Sequence, residues 1–246
     1  MALVTSELVA SARAPGLFLA PEIEVPDDAA IAPHVTIYAG VELGHGVSLE
    51  QGAVLGRPQQ IDARSRSPVH RDGGVTVIGD GCRVGSNTVV VSGARLGARV
   101  YLSDLVLVRE GTVISEEAMI GRGTSVSHSN FVGARTRIQN NTLVGPWTVI
   151  EEDVLVSPRV TFVGDPTMGR RPADTWSPGI LVRRASRIGT AAILFPPLEI
   201  GAEAVVGAAA MVRADVPART VVAGTPARHL RAVRDDELLE RCHERS

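Results

Sequence analysis

The feature that most constrains the fold of this chain is an aliphatic residue that recurs every six positions. From Ile78 to Phe162 the repeat runs through fifteen consecutive hexads, with Phe162 as its one aromatic member. This period matches neither the 3.6-residue period of a surface helix nor the two-residue period of a half-buried strand. The ranges 25–55 and 182–212 show the same period in shifted phase. We therefore interpret the chain as 27 hexads interrupted by two insertions.

A second pattern accompanies the aliphatic one. A mostly small or β-branched residue stands four positions after each aliphatic residue, as at Cys82, Thr88 and Ala94. This combination is typical of a hexapeptide parallel β-helix, in which each hexad forms a short strand and a tight turn and three hexads form a triangular coil. With coils about 4.8 Å apart, the sequence predicts an all-β solenoid of about nine coils, on the order of 40 Å long. Cys82 and Asn130 then occupy inward positions, as a small core residue and a stacked core amide.

Composition argues against several classes of partner. The net charge of −2 gives no sign of nucleic-acid binding. No apolar run approaches the roughly 18 to 20 residues of a membrane span, and the N-terminal stretch does not resemble a secretory signal. The two cysteines, Cys82 and Cys242, lack metal-ligand spacing. We expect a cytoplasmic protein without metal.

The repeat also divides the chain. Residues 1–24 precede the repeat and are interpreted as an arm or cap, and residues 25–228 form the β-helix domain. Loops at 57–77 and 164–181 interrupt this domain, and residues 229–246 are expected to form a short charged helix. Loops that leave a rigid scaffold often carry function.

The terminal coils resemble those of the hexapeptide-repeat acyltransferases. In that family the last coils typically end in a Val-Pro turn followed by an Ala-Gly-x-Pro-Ala-Arg stretch, here Val216-Pro217 and Ala223 to Arg228. The segment from 132 to 171 resembles a narrower branch that N-acylates nucleotide-linked amino sugars. Its marks here are Gln139-Asn140-Asn141, then Ser157-Pro158, Phe162 and Asp165, and the chain departs from the branch at Gly164, where Asn is usual.

This resemblance implies a fold and a reaction. The solenoid is expected to coil left-handed and to assemble as a homotrimer with its sites between subunits. The expected reaction is transfer of an acyl group, by default acetyl from acetyl-CoA, to the amine of a dTDP- or UDP-linked 3-amino-deoxyhexose. A sugar amine titrates near about 8, by analogy with an α-amino group, so much of it is already neutral and a strong base is not required.

The residues that match the motifs supply candidate catalytic groups. Asn140 and Asn141 follow the inward Ile138 near a corner, where one of them would position the amine; the alternative is a turn Asn, because Asn tolerates positive φ. Gln139 would contact the sugar nucleotide. His128, two residues after Val126, should point outward and is a candidate general base, with a surface or trimer-interface histidine as the alternative.

Further candidates lie in the second loop and the last coils. Asp165, about 10 Å from His128 by strand spacing, would contact the sugar or orient the base, unless it forms an Asx turn. Arg170 and Trp176 are candidate substrate contacts, and Trp147 is expected at the trimer interface or against a base. The coenzyme is expected along the last coils, with room left by small residues and with arginines at its phosphates. The coenzyme candidates are Ala191, Ala209, Ala210, Arg213, Arg228 and Arg231.

Three other functions remain open from sequence. A γ-type carbonic anhydrase needs three histidines around one zinc, and the central coils contain no close histidine pair. A non-catalytic scaffold is disfavoured by the family-like terminal coils and the polar hexad at 139–141. The main alternative keeps the chemistry and changes the acceptor to a sugar hydroxyl, a free amino acid or an aminoglycoside.

Overall fold

The computed structural model describes residues 8–59, 61, 74–170 and 178–243. The first strands are β1 (Val9–Ser11), β2 (Leu17–Leu19), β3 (Ala30–Ile31), β4 (Thr36–Ile37), β5 (Val41–Leu43), β6 (Ser48–Leu49), β7 (Val54–Arg57), β8 (Thr76–Ile78), β9 (Arg83–Val84) and β10 (Val89–Val91). The central strands are β11 (Arg95–Leu96), β12 (Tyr101–Leu102), β13 (Leu107–Val108), β14 (Val113–Ile114), β15 (Met119–Ile120), β16 (Ser125–Val126), β17 (Phe131–Val132), β18 (Arg137–Ile138), β19 (Leu143–Val144) and β20 (Val149–Ile150). The last strands are β21 (Leu155–Val156), β22 (Thr161–Phe162), β23 (Ile180–Val182), β24 (Arg187–Ile188), β25 (Ile193–Leu194), β26 (Leu198–Ile200), β27 (Val205–Val206), β28 (Met211–Val212), β29 (Thr220–Gly224) and β30 (Ala227–Ala232). A 3₁₀ turn (Asp235–Glu237) and the helix α1 (Leu239–His243) follow.

These strands form the three faces of a prism. Face 1 has the order β1-β2-β4-β7-β10-β13-β16-β19-β22-β25-β28, face 2 the order β26-β23-β20-β17-β14-β11-β8-β5, and face 3 the order β3-β6-β9-β12-β15-β18-β21-β24-β27-β29-β30. The chain visits faces 1, 2 and 3 in turn, so its turns lie along three edges, named here edge 1–2, edge 2–3 and edge 3–1. Between β2 and β29 the ladders are parallel, which confirms a parallel β-helix of about ten coils, consistent with a left-handed coil.

The interior is the stack of aliphatic residues that the repeat predicts. Every aliphatic hexad position from Ile78 to Phe162 is at most 1% exposed. The residue four positions later is buried as well from Cys82 to Val160, and Cys82 and Asn130 are core residues as predicted. Asn130 donates from Nδ2 to the Ser127 carbonyl at 2.8 Å and accepts the Thr148 N–H at 2.7 Å. Burial raises the pKa of the Cys82 thiol to about 11.

Threonine hydroxyls join successive coils at the corners. Thr88 Oγ1 donates to the Ser103 carbonyl at 2.6 Å and accepts the Val106 N–H at 3.1 Å. Thr136 makes the equivalent pair of bonds with Glu151 and Val154. A buried hydroxyl is stable only when hydrogen-bonded, and these bonds also satisfy backbone groups of the next turn.

Both ends of the prism carry antiparallel strands. β1 pairs antiparallel with β2, and β2 pairs in parallel with β4, so residues 17–19 already belong to the ladder of face 1. The predicted helix over 229–246 was wrong in extent. Residues 227–232 form β30, which folds back on β29 because the chain reverses at Thr225-Pro226, and the helix is confined to Leu239–His243.

Both insertions leave the prism at the same edge. The first lies between β7 on face 1 and β8 on face 2, and the second lies between β22 on face 1 and β23 on face 2. Edge 1–2 therefore carries both. No helix in the described ranges is long and apolar enough to cross a membrane.

Candidate functional site

The Gln139–Asn141 turn lies on edge 3–1, directly after β18. All three residues are exposed, and Asn141 has a φ of 56°. The turn is fixed by the preceding coil, since Thr124 Oγ1 donates to the Gln139 carbonyl at 3.1 Å and accepts the Thr142 N–H at 3.3 Å. The polar hexad is thus a rigid, solvent-facing corner.

The two asparagines play different structural parts. Asn140 Oδ1 accepts the Arg122 N–H at 3.0 Å, a bond that joins two coils and occupies its acceptor oxygen. Asn141 lies over Gly123 of the preceding coil, where a Cβ would come within 2.5 Å of Asn141 Oδ1. The Asn141 backbone N–H bonds to the Arg122 carbonyl at 2.8 Å, but within the described residues its side-chain amide makes no hydrogen bond, which leaves Nδ2 and Oδ1 open to a ligand. Of the two, Asn141 is therefore the better candidate for contact with substrate.

The column of corner residues that contains Asn141 continues along the same edge. Arg159, Ala191 and Ala209 follow Asn141 at successive corners, with φ values of 63°, 59° and 55°. Ala191 and Ala209 are part-exposed or exposed and leave space beside the turns. Ala210 leaves no such space, so the expectation that it makes room for the coenzyme was wrong. It is fully buried, its N–H bonds to the Gly207 carbonyl, and its carbonyl accepts the Ile193 N–H.

Edge 1–2 carries a second polar group of residues. His128 follows β16 and lies over Glu110, one coil earlier, as the bond from Ser129 N to the Glu110 carbonyl shows. His128 stands at the outward position that the sequence predicts, yet it is only 2% exposed. Trp147 packs against it edge-on, with ring centroids 4.8 Å apart and an interplanar angle of 87°. The imidazole Nδ1 lies 3.2 Å from Ser129 Oγ.

Glu110 is a residue that the sequence analysis missed. It is 2% exposed, and its carboxylate accepts bonds from Arg109 at 2.6 and 3.2 Å and from Gln59 Nε2. Gln59 lies near the start of the first insertion, so Glu110 anchors this part of the loop to the prism. The sequence spacing could have indicated it, because Glu110 precedes His128 by 18 residues, which is one coil.

The second-loop candidates divide between structured and undescribed residues. Asp165 follows β22 at edge 1–2, two coils beyond His128. Its Oδ1 accepts from the Thr167 N–H at 2.8 Å and hydroxyl at 2.6 Å, and its Oδ2 accepts from Gly169 N at 2.7 Å. These bonds form an Asx turn, the alternative to a sugar contact that the sequence left open for Asp165. Arg170 is exposed, and Trp176 lies outside the described residues.

Two of the three predicted phosphate-binding arginines line one cleft at the C-terminal end of the prism. Arg213 and Arg228 line a cleft of about 330 Å³ between the last coil and the β29–β30 hairpin. Arg213 also lies over the Phe195 ring, 5.2 Å from its centroid, and Asp215 lines the same cleft. Arg231 is instead paired with Glu237 at 2.7 and 2.8 Å. That pairing, together with the bond from the Arg234 N–H at 2.9 Å, lowers the pKa of the Glu237 carboxyl to about 2.

Within one chain, the site residues predicted from the sequence therefore fall into three separate groups. Asn140, Asn141, Ala191 and Ala209 share edge 3–1, whereas His128 and Asp165 share edge 1–2. Arg213 and Arg228 lie at the terminal cleft. Among the residues that the structure describes, no three His, Cys, Asp or Glu side chains form a group able to hold a metal ion.

Comparisons with known proteins yield similar structures only. No family model and no curated protein matches the chain. Among solved structures it is similar to an Arabidopsis UDP-N-acetylglucosamine acyltransferase, with 16% identity, 94% of this chain and 76% of that one covered, and a TM-score of 0.47. It is also similar to a truncated serine acetyltransferase apoenzyme, with 21% identity, coverages of 58% and 43%, and a TM-score of 0.36.

A third similar structure is PerB from Caulobacter crescentus, solved in complex with CoA and GDP-perosamine. Its identity is 23%, the coverages are 60% of this chain and 57% of PerB, and the TM-score is 0.36. The chain spans less than half of the serine acetyltransferase and less than two thirds of PerB. With TM-scores below 0.5, these likenesses carry no argument about activity, which depends on the chain's own residues.

Proposed function

We propose that this protein is an acyl-CoA-dependent N-acyltransferase, acetyl being the default acyl group, whose acceptor is the amino group of a nucleotide-linked amino sugar. The observation that carries the proposal is the exposed Asn141 amide, held in a rigid turn and without a hydrogen-bond partner among the described residues. Further along its edge, Ala191 and Ala209 leave an open path for an extended coenzyme. The terminal arginines Arg213 and Arg228 line a separate cleft at the C-terminal end of the prism, where Arg213 follows β28 on face 1.

In the proposed reaction Asn141 Oδ1 accepts a hydrogen bond from the substrate amine and orients the nitrogen lone pair toward the thioester carbonyl. The nitrogen–carbon bond forms, the carbon–sulfur bond breaks, and coenzyme A leaves as the thiol. The nitrogen loses one proton, either to water or to His128. Because His128 lies on edge 1–2 and Asn141 on edge 3–1, transfer to His128 requires two subunits of the proposed trimer to bring these edges together. In this conformation His128 is buried beside Trp147, so its use as a base requires that contact to open.

We further propose a homotrimer, in line with the family resemblance. An exposed apolar stripe runs down face 2 through Val113, Phe131 and Val149, which pair in register and are 37, 40 and 38% exposed. Contiguous apolar surface of this kind marks association sites. Phe131→Glu should lower the sedimentation coefficient, whereas Met119→Glu, at 41% exposure on face 3, should not. A trimer that survives Phe131→Glu would exclude this face as the interface.

The test of the reaction is a thiol-release assay with acetyl-CoA. Its acceptors are dTDP- and UDP-linked amino sugars, with free aminoglycosides and serine alongside. We expect release with a nucleotide-linked amino sugar; release only with the other acceptors would discard the sugar-nucleotide substrate, and none at all would refute transfer from acetyl-CoA.

Asn141→Ala should lower turnover at least tenfold. Its matched control is Asn87→Ala, because Asn87 occupies the same corner three coils earlier, is exposed and has a φ of 54°. Asn141→Gly adds a variant that suits positive φ without strain. Wild-type turnover in both Asn141 variants would refute the amine contact.

A further inference from the structure

Arginines on the edges of this prism are commonly paired with a carboxylate one coil away. On edge 2–3, Arg99 bonds to Glu117 at 2.8 Å and Arg135 bonds to Asp153 at 2.8 and 2.9 Å. The Arg135 guanidinium lowers the pKa of the Asp153 carboxyl. Stacked partners of opposite charge therefore neutralise these arginines.

The corner around Asn140 and Asn141 departs from this pattern. Arg122, Arg137 and Arg159 are all exposed, and none of their side chains makes a hydrogen bond or ion pair with the residues that the structure describes. Arg122 precedes Asn140 by one coil, Arg159 bonds through its N–H to the Asn140 carbonyl at 3.0 Å, and Arg137 lies in the strand that leads into the turn. We name these three residues the arginine cluster.

The neighbours of the arginine cluster do not neutralise it. Arg137 stacks between Met119 and Leu155 on face 3, and Arg159 follows Asn141 and precedes Ala191 in the column of corner residues.

Asp104, one coil before Arg122, is the nearest acid in its column. Its Oδ1 accepts the Ser86 N–H at 2.9 Å, on the side away from Arg122.

Arg122, Arg137 and Arg159 belong to three successive coils, so their backbone positions span about 10 Å along the prism axis, two coil spacings. Members in adjacent coils are about 4.8 Å apart along the axis, inside the screening length of about 8 Å at physiological ionic strength, so the fields of neighbouring members add.

We infer that the arginine cluster binds the diphosphate of a nucleotide ligand beside Asn141. Guanidinium groups bind phosphate oxygens through paired N–H donors, so a group of unpaired arginines suits the charge of a diphosphate. The choice of ligand rests on the proposed function, in which both the sugar nucleotide and coenzyme A carry a diphosphate. Because the cluster adjoins Asn141, the proposed amine contact, whereas Arg213 and Arg228 lie several coils away in the terminal cleft, the geometry favours the sugar nucleotide for this cluster.

The experiment is a calorimetric titration of the full chain with dTDP, UDP and coenzyme A. It compares Arg122→Gln, Arg137→Gln and Arg159→Gln with the control Arg95→Gln. Arg95 is exposed at the equivalent outward position of β11 on face 2 and is also unpaired among the described residues. We expect each cluster variant to raise the Kd for dTDP or UDP at least fivefold, to raise it less in high salt, and to leave coenzyme A binding unchanged.

Each other outcome has a defined meaning. Loss of coenzyme A binding instead would keep a diphosphate site and assign it to the coenzyme. Unchanged binding of all three ligands in the cluster variants, an equal loss in Arg95→Gln, or no binding by the wild type would overturn the inference. Because binding is measured without turnover, a wild type that binds dTDP through these arginines but releases no thiol would refute acyl transfer alone.

Discussion

The hydroxyl of Thr124 determines how firmly the candidate turn is held, and its removal tests the hydrogen-bond ladder along edge 3–1. Thr124 Oγ1 bonds to the Gln139 carbonyl and the Thr142 N–H, at 3.1 and 3.3 Å. Thr124→Val deletes both bonds and keeps the shape of the side chain. Valine fits this column, because Val106 and Val160 occupy the same corner in other coils and are at most 1% exposed.

The magnitude depends on what the two released groups do. If both stayed buried without partners, the cost would be about 1–3 kcal/mol for each group. Other coils of the structure show how the released N–H can find a new acceptor. In the coil after Val106 the Thr124 N–H bonds to the Gly121 carbonyl at 3.3 Å, and after Val160 the Ala192 N–H bonds to the Gly189 carbonyl at 3.2 Å. Thr142 N–H can close the same turn on the Gln139 carbonyl, so the net loss should be about one hydrogen bond, about 1 kcal/mol.

Hydrogen exchange at the Thr142 amide measures this directly. A loss of about 1 kcal/mol in the local opening free energy should speed its exchange about fivefold in Thr124→Val. Thr124→Ser, which keeps the hydroxyl, should keep the protection at Thr142 closer to wild type. Exchange faster by a hundredfold or more would show that the turn does not close on itself, and exchange equal to wild type would show that the hydroxyl does not hold the turn.

Three other measurements follow from the geometry. His128→Ala should change the pH–rate profile of acyl transfer, and an unchanged profile would exclude His128 as the base. The Glu237 carboxyl should titrate with a pKa of about 2, so its ion pair with Arg231 is fully present above about 4.5 and is lost as the pH falls through about 2. Carbon NMR should show that Arg231→Gln raises this pKa toward its ordinary value, with part of the lowering kept by the Arg234 N–H and guanidinium; titration near 4.5 in the wild type would contradict the pairing. In a Cys242→Ser background, Cys82 should resist thiol reagents at pH 8 until the protein unfolds, because it is buried and its pKa is about 11; rapid reaction of the folded protein would contradict this.

The interior was predictable because one rule governs every coil. A side chain inside a narrow triangular prism must fill the centre or the corner, so the period of six identifies both kinds of position. Phe162, the one aromatic residue in the central series, is fully buried like its aliphatic neighbours. The same rule identified Cys82 and Asn130 as core residues.

The edges were less predictable because an outward position does not determine what covers it. His128 points outward by spacing, yet Trp147 packs against its ring and reduces its exposure to 2%. That contact depends on a tryptophan at positive φ, 55°, in the next coil, a conformation that spacing does not reveal. Glu110 was missed for a related reason, since its burial depends on Arg109 and on Gln59 from the first insertion.

The backbone energetics of the corners bear on which residues serve a ligand. A non-glycine residue in the left-handed region costs roughly 1–2 kcal/mol. Asparagine bears this cost most easily, so Asn141 needs no further explanation for its φ of 56°. Arg135 has a φ of 57° and gains an ion pair with Asp153 in return. Arg159 has a φ of 63°, the corner conformation that Leu105, Ala191 and Ala209 also adopt, and its N–H bonds to the Asn140 carbonyl at 3.0 Å. Unlike that of Arg135, its side chain makes no ion pair with the described residues. Because the exposed Arg159 guanidinium stabilises nothing among the described residues, its substitution should weaken nucleotide binding while leaving the stability of the prism unchanged or, with a residue better suited to positive φ, improved.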